Sequence, residues 1–123
     1  MEQEYQVIFY EKENGDCPTQ EYIDSLDIKL SAKVYRILEM IKKNGPELRE
    51  PYSKHLDDGI LEIRTRLGTN LARVLYFYHI GKCVITTHGF TKKTQKTPPE
   101  EIERAMEYRT EYLAREAKKN EKS

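Results

Sequence analysis

The sequence predicts an α+β domain, and three observations support this prediction. Polar and apolar residues alternate over residues 4–10, apolar residues recur at helical spacing over residues 30–41, and three strand-like runs follow from residue 60. A chain of 123 residues has the size of one domain. We therefore expect a single domain over residues 1–117 and a frayed tail over residues 118–123.

The first half of the chain predicts a strand followed by a helical hairpin. Gly15 and Asp16 break the alternation after residue 10, and Pro18 suits the first turn of a helix, where its missing N–H needs no partner. A second helix is expected to end at Asn44-Gly45-Pro46. The apolar faces of the two helices consist of Tyr22, Ile23 and Leu26, then Leu30, Val34, Ile37, Leu38 and Ile41.

The second half predicts a three-stranded antiparallel meander and a closing helix. The strands span residues 60–66, 70–79 and 82–90, and their short connections force antiparallel pairing. Residues 46–59 carry no regular pattern and are expected to be irregular. The sequence Thr97-Pro98-Pro99-Glu100 is typical of a capping box at the start of a helix, and apolar residues from Ile102 to Leu113 mark one face of that helix.

Charge is distributed unevenly in a chain whose net charge is zero. Residues 1–30 contain eight acids against two lysines, whereas no acid lies between Glu62 and Glu100. Such an acid-free segment predicts a basic surface that attracts phosphate, although a solvated surface would have the same composition. The positive residues of this segment are Arg64, Arg66, Arg73, Lys82, Lys92, Lys93 and Lys96.

The remaining composition argues against export, membrane insertion and metal binding. The N-terminus is acidic and alternating rather than basic and then apolar, and no apolar run is long enough to cross a membrane. Cys17 and Cys83 lie far apart without a CxxC partner, so we expect free thiols, no zinc site and a cytoplasmic protein.

Charged residues in two predicted strands are the first candidates for a functional site. Strand periodicity puts Glu62, Arg64 and Arg66 on one face, which we expect to be a working surface opposite an apolar core face. Arg73 lies in an otherwise apolar run, where a guanidinium offers two parallel donors to phosphate oxygens. The alternatives are an exposed charge ladder for Glu62 and Arg64, and a buried ion pair with an acid such as Glu62 for Arg73.

Residues 88–98, HGFTKKTQKTP, combine an imidazole, an aromatic ring, three lysines and several hydroxyls between the last strand and the last helix. Such a loop suits RNA, with lysines on phosphates and a base stacked on Phe90. The alternative is a core phenylalanine followed by an ordinary basic loop. His55 and His79 give no specific signal, and His88 is better placed.

Four segments of the chain resemble the phage-derived HigB-like toxins of the RelE/ParE superfamily. They are Lys54-His55-Leu56, Gly59 through Arg64, Arg73 through Phe77, and His88-Gly89-Phe90 through Thr97-Pro98, and their order covers nearly the whole chain. The resemblance implies a RelE-like fold and a ribosome-dependent endoribonuclease that uses no metal or other cofactor. It also implies a helix-turn-helix antitoxin, in a complex expected to be a heterotetramer that contacts operator DNA only through the antitoxin.

Site residues follow from this chemistry, in which a 2′-hydroxyl of the message attacks the adjacent phosphate. We assign Arg64 and Arg73 to the charge of the phosphorane, and His88 and Lys93 to proton transfer. The expected RNA contacts are Lys54, Arg66, Phe90, Lys92 and Lys96. Two alternatives remain open at this point: a ParE-like toxin that binds gyrase without catalysis, and a non-catalytic protein that binds RNA or another partner.

Overall fold

A computed structural model of the chain, described for residues 4–121, has an α+β architecture. The predicted fold class is confirmed, with an N-terminal strand, a helical hairpin, an antiparallel meander and a C-terminal helix. In chain order the elements are β1 (Gln6–Phe9), α1 (Pro18–Asp24), α2 (Ile28–Asn44), a 3-10 turn (Gly45–Glu47), β2 (Ser53–Asp57), β3 (Ile60–Leu67), β4 (Asn70–His79), β5 (Cys83–Thr91) and α3 (Pro99–Glu121).

The strands form one five-stranded sheet in the order β1-β5-β4-β3-β2. β1 runs parallel to β5, and the other neighbours are antiparallel. The meander therefore has four strands instead of the predicted three, because β2 lies in the segment expected to be irregular. β2 is an edge strand with little apolar alternation, and it turns into β3 through Asp58 and Gly59, both at positive φ.

One face of the sheet packs against the helical hairpin, and we call it the hairpin face. α2 buries its apolar stripe here, as its spacing predicts, against alternate residues of β3 and β4. The buried residues include Leu30, Val34, Ile37, Leu38 and Ile41 of α2 and Leu61, Ile63, Val74 and Tyr76 of the sheet. The apolar core on this face is larger than the one on the opposite face.

The opposite face packs against α3, and we call it the α3 face. A second apolar cluster here joins Tyr10, Ile60, Leu75, Phe77, Ile85, Phe90 and Ala105. The expectation of one core face and one open working face is therefore wrong, because α3 and the loop before it cover much of the second face. Charged residues of β3 and β4 are buried beneath that cover.

The packing of α1 on β5 requires a glycine at position 89. A Cβ built on Gly89 would lie 2.1 Å from Cδ2 of Tyr22, whose ring crosses the strand at that point. The Tyr22 hydroxyl then donates a hydrogen bond to the carbonyl of Phe90 (3.0 Å). The glycine of the His88-Gly89-Phe90 segment is thus explained by helix packing.

The C-terminal helix differs from expectation at both ends. Thr97 does not form a capping box, because its hydroxyl donates to the Glu62 carboxylate (2.5 Å). At the other end, residues 118–121 of the expected frayed tail are helical, and residues 122–123 lie outside the described part of the chain. Cys17 and Cys83 are free thiols, as predicted.

Candidate active site

Arg64 and Arg73 stand side by side on the α3 face. They are directly opposite each other in the β3–β4 ladder, and opposite residues of an antiparallel pair project from the same side of a sheet. Two neighbouring guanidiniums repel each other unless an anion lies between or beside them. The ladder therefore creates a cationic pair that needs a counter-charge.

Glu62 supplies that counter-charge. Its side chain is fully buried, and one carboxylate oxygen accepts a hydrogen bond from Nε of Arg64. The other oxygen accepts from Thr97 and lies 4.0 Å from Nη1 of Arg73. Glu62 thus links β3, β4 and the segment that leads into α3. One carboxylate against two guanidiniums leaves this cluster with an excess positive charge.

Arg73 is buried completely and is only partly satisfied. Its guanidinium lies 5.8 Å from the ring centroid of Phe90 and donates through Nη2 to the carbonyl of Thr94. Nε and Nη1 are buried and have no hydrogen-bond partner among residues 4–121. Burial lowers the pKa of Arg73 and Glu62 opposes that shift, so the group stays cationic at neutral pH. This geometry matches the alternative of a buried ion pair between Arg73 and Glu62, and it leaves two nitrogen donors of Arg73 unpaired.

Arg64 is half-buried and faces a groove at the β2 edge of the sheet. Its Nη2 donates to the carbonyl of Gln95, and its Nη1 lies 3.5 Å from the Gln95 side-chain oxygen. The Arg64 groove, as we call it, has a volume of ≈ 430 Å³. Its lining includes Glu50, Pro51, Tyr52, Lys54, Glu62, Arg64, Arg66 and Gln95. This groove is where a ligand from solvent would meet the cluster.

The loop between β5 and α3 closes over the two arginines. Carbonyls of Thr94 and Gln95 take one donor from each guanidinium. All three lysines of the loop are exposed, and Lys96 lines a second groove of ≈ 560 Å³ that also includes Lys54 and Arg64. Exposed cations thus lie along this loop and in the neighbouring grooves, where Glu50 is also present.

A comparison with protein families matches residues 21–110 to the family described as phage-derived protein Gp49-like. That match covers most of the chain, including both arginines and the whole meander. The chain belongs to the phage-derived Gp49-like family. This family is part of the RelE/HigB group of toxins from toxin–antitoxin systems. None of the curated proteins compared with the chain matches it.

His88 and Phe90, which were predicted to act on RNA, are core residues of this Gp49-like chain. The His88 ring is buried between Glu101, whose Oε1 is 3.2 Å from Nε2, and Thr87, whose hydroxyl is 3.1 Å from Nδ1. Burial lowers the pKa of His88, against the opposing effect of Glu101, and keeps the ring neutral at pH 7. Phe90 packs in the α3-face cluster and supports Arg73. Neither side chain reaches the Arg64 groove.

The exposed candidates divide into two sets. Lys54 and Arg66 line the Arg64 groove together with Arg64, whereas Lys92 and Lys93 lie farther along the loop and line neither groove. Sequence reasoning missed Tyr52 and Gln95, which line the Arg64 groove, and gave no role to His55, which lines the second groove. Tyr52 and His55 lie in the segment read as irregular, so no strand pattern pointed to them.

Two classes of site are absent from the described part of this Gp49-like chain. Residues 4–121 contain no group of three His, Cys, Asp or Glu side chains placed to hold a metal ion. Over the same residues, no helix has the length and apolar character needed to cross a membrane.

Proposed function

We propose that this Gp49-like protein is the toxin of a toxin–antitoxin system and cleaves messenger RNA on the ribosome without a metal ion. The observation that carries this proposal is the Arg64–Arg73 pair, which has one counter-charge, two unsatisfied buried donors and a groove at its side. A site with spare guanidinium donors suits the charge that develops on a phosphorane. The family membership supports the toxin role.

In the proposed reaction, a ribose 2′-oxygen attacks the adjacent phosphorus, a P–O2′ bond forms and the P–O5′ bond breaks. The 2′-hydroxyl proton passes to a base, and an acid protonates the departing 5′-oxygen, leaving a 2′,3′-cyclic phosphate and a 5′-hydroxyl. Arg64 and Arg73 donate to the non-bridging oxygens. We expect the phosphate to replace the carbonyls of Thr94 and Gln95, which now accept from the same two guanidiniums.

For proton transfer we propose His55 as the base, while the proton-transfer role of Lys93 stays a prediction from the sequence, because its side chain lines neither groove. His55 is exposed, lines a groove that includes Arg64, and carries the side chain best suited to proton transfer near neutral pH. It takes the role first assigned to His88, whose ring is enclosed by the core. A single-turnover cleavage rate that is unchanged in Lys93→Ala or in His55→Gln would remove that residue from the mechanism.

The partner of the proposed toxin is a helix-turn-helix antitoxin, in a cytoplasmic heterotetramer that contacts operator DNA only through the antitoxin. Exposed acidic residues before, on and directly after α1 offer a docking region for basic segments of such a partner. It consists of Glu11, Glu13, Asp16, Glu21, Asp24 and Asp27. Co-purification with the protein encoded beside it, followed by measurement of the mass of the complex, tests this part of the proposal.

Primer extension on a defined message in a reconstituted translation reaction tests the activity. We expect cleavage that needs ribosomes and that falls about 100-fold or more in Arg64→Ala, because one positioned donor to the developing charge is lost. Arg64 is a better target than Arg73, because Arg73 is fully buried and its loss endangers folding.

Arg36→Ala is the matched control. It removes one positive charge from an exposed position on α2, which packs on the opposite side of the sheet. Cleavage by this variant should equal that of the wild type. A message that stays intact with wild-type protein and ribosomes, or is cut equally by the Arg64 variant, contradicts the proposal.

A further inference from the structure

The Arg64 groove has the size and the walls of a site for a planar ring. Its ≈ 430 Å³ lies within the roughly 300–1,000 Å³ typical of small-molecule sites. Pro51, Tyr52 and Leu71 give it apolar surface, and its three cations, Lys54, Arg64 and Arg66, outnumber its two acids, Glu50 and Glu62. Apolar walls between cations match a nucleotide, whose base is flat and apolar on its faces and whose phosphates are anionic.

Tyr52 is the exposed aromatic residue beside the arginines. Its side chain and backbone together are 43% exposed, and its hydroxyl makes no hydrogen bond within residues 4–121. The backbone is nevertheless fixed, because the Tyr52 carbonyl accepts from the Arg64 amide (3.1 Å) and the Tyr52 amide donates to Arg49 (3.0 Å). An aromatic ring that is held in place but left uncovered next to a guanidinium is suited to stacking.

We propose that Tyr52 stacks on a nucleobase of the RNA strand, next to the phosphate held by Arg64. This inference rests on the proposed function and names the groove that selects the substrate. The backbone bond between Tyr52 and Arg64 sets the two side chains next to each other at the edge of the sheet. A nucleotide whose phosphate contacts Arg64 therefore has its base at the Tyr52 ring. The stacking role first given to Phe90 passes to Tyr52, since Phe90 is buried.

Gln95 is placed to read the edge of that base. Its side chain lines the same groove and offers both a donor and an acceptor, which is the pairing that a base edge requires. Its only side-chain hydrogen bond within residues 4–121 is the long one, of 3.5 Å, from Arg64. Tyr52 thus supplies affinity for any base, and Gln95 supplies preference among bases.

A short 2′-O-methyl RNA that contains 2-aminopurine tests stacking without cleavage. Stacking on Tyr52 should quench 2-aminopurine fluorescence as protein is added, and Tyr52→Ala should weaken binding about tenfold and remove the quenching. Tyr52→Phe keeps the ring and should bind like the wild type. Tyr35→Ala is the control, because Tyr35 is 42% exposed on α2, on the far side of the sheet.

The outcomes separate this inference from the proposed function. No quenching with wild-type protein, equal quenching by Tyr52→Ala, or a loss in Tyr52→Phe as large as in Tyr52→Ala overturns the stacking site. If the wild type cleaves message on ribosomes while Tyr52→Ala cuts the same sites at the same rate, the stacking site fails and the proposed function stands. If quenching is saturable but the protein cleaves no message, the stacking site is supported and the proposed nuclease activity is wrong.

Discussion

Both faces of the sheet contain fully buried residues, but the two faces differ in the chemistry of the side chains that they bury. Ile63 and Glu62 are neighbours in β3, and both are fully buried, Ile63 beneath α2 and Glu62 beneath the segment before α3. The hairpin face is filled mainly with apolar side chains, and its buried polar pairs, Ser53–Tyr76 and Thr19–Thr86, are uncharged. Burial on this face therefore contributes to stability. The α3 face combines an apolar cluster under the helix with the buried His88–Glu101 contact, and it carries Glu62 and Arg73 next to the helix, where burial strengthens every charge interaction.

The largest expected effect comes from removing the buried acid. Glu62→Ala should lower the free energy of unfolding by about 3–5 kcal/mol, because Arg73 is left buried without its counter-charge. Urea unfolding measures this loss. Glu39→Ala removes an acid whose side chain is 62% exposed and paired with Lys42, and it should cost no more than about 0.5 kcal/mol. Equal losses in the two variants would mean that Arg73 does not depend on Glu62.

The buried His88 on the α3 face should make the stability of the protein depend on pH. The pKa of His88 is lowered in the fold by burial, so the unfolded chain binds its proton first as the pH falls. Burial of neutral His88 therefore costs no stability above about pH 6.5. Below that pH the free energy of unfolding falls, with a slope of at most about 1.4 kcal/mol per pH unit.

His88→Gln should remove this part of the pH profile between pH 7 and 5. Glu101, which raises the pKa of His88, and Arg104, which lowers it, stay in place in that variant. Thermal unfolding of both proteins across this range provides the comparison. Parallel profiles would show that other groups cause the acid sensitivity.

The smallest effect belongs to the hairpin face and concerns stability alone. Ile63→Val should lower the free energy of unfolding by about 0.5–1.5 kcal/mol, because one buried methylene is lost. Message cleavage by the folded variant should match the wild type. A change in cleavage that exceeds the change in folded fraction would show that the two faces are coupled.

The sequence predicts most of the fold because its elements follow local rules. The apolar stripe of α2 and the short turns of the meander are both visible as spacing. The sequence did not predict β2, because this edge strand has little apolar alternation. The Asp58-Gly59 turn was the one local signal for it. The Thr97 capping motif misled because a buried carboxylate across the sheet is a better partner than the local backbone.

The candidate site could be predicted only in part. Arg73 was singled out because a guanidinium in an apolar strand is unusual, and Arg64 because strand periodicity puts it on the charged face of β3. The ladder places the two residues opposite each other. His88 and Phe90 were misplaced because their burial depends on where α3 crosses the sheet, which is a long-range fact. Tyr52 and Gln95 carry no pattern of their own, and only tertiary contacts set them beside Arg64.

The tight fit of Gly89 against Tyr22 has a consequence for related sequences. With 2.1 Å between a Cβ at position 89 and the Tyr22 ring, a side chain at 89 requires a smaller residue at 22. Substitutions at positions 22 and 89 should therefore covary across the family. In a related sequence of unknown structure, a small residue at one of these positions and a large one at the other would indicate that α1 packs on β5.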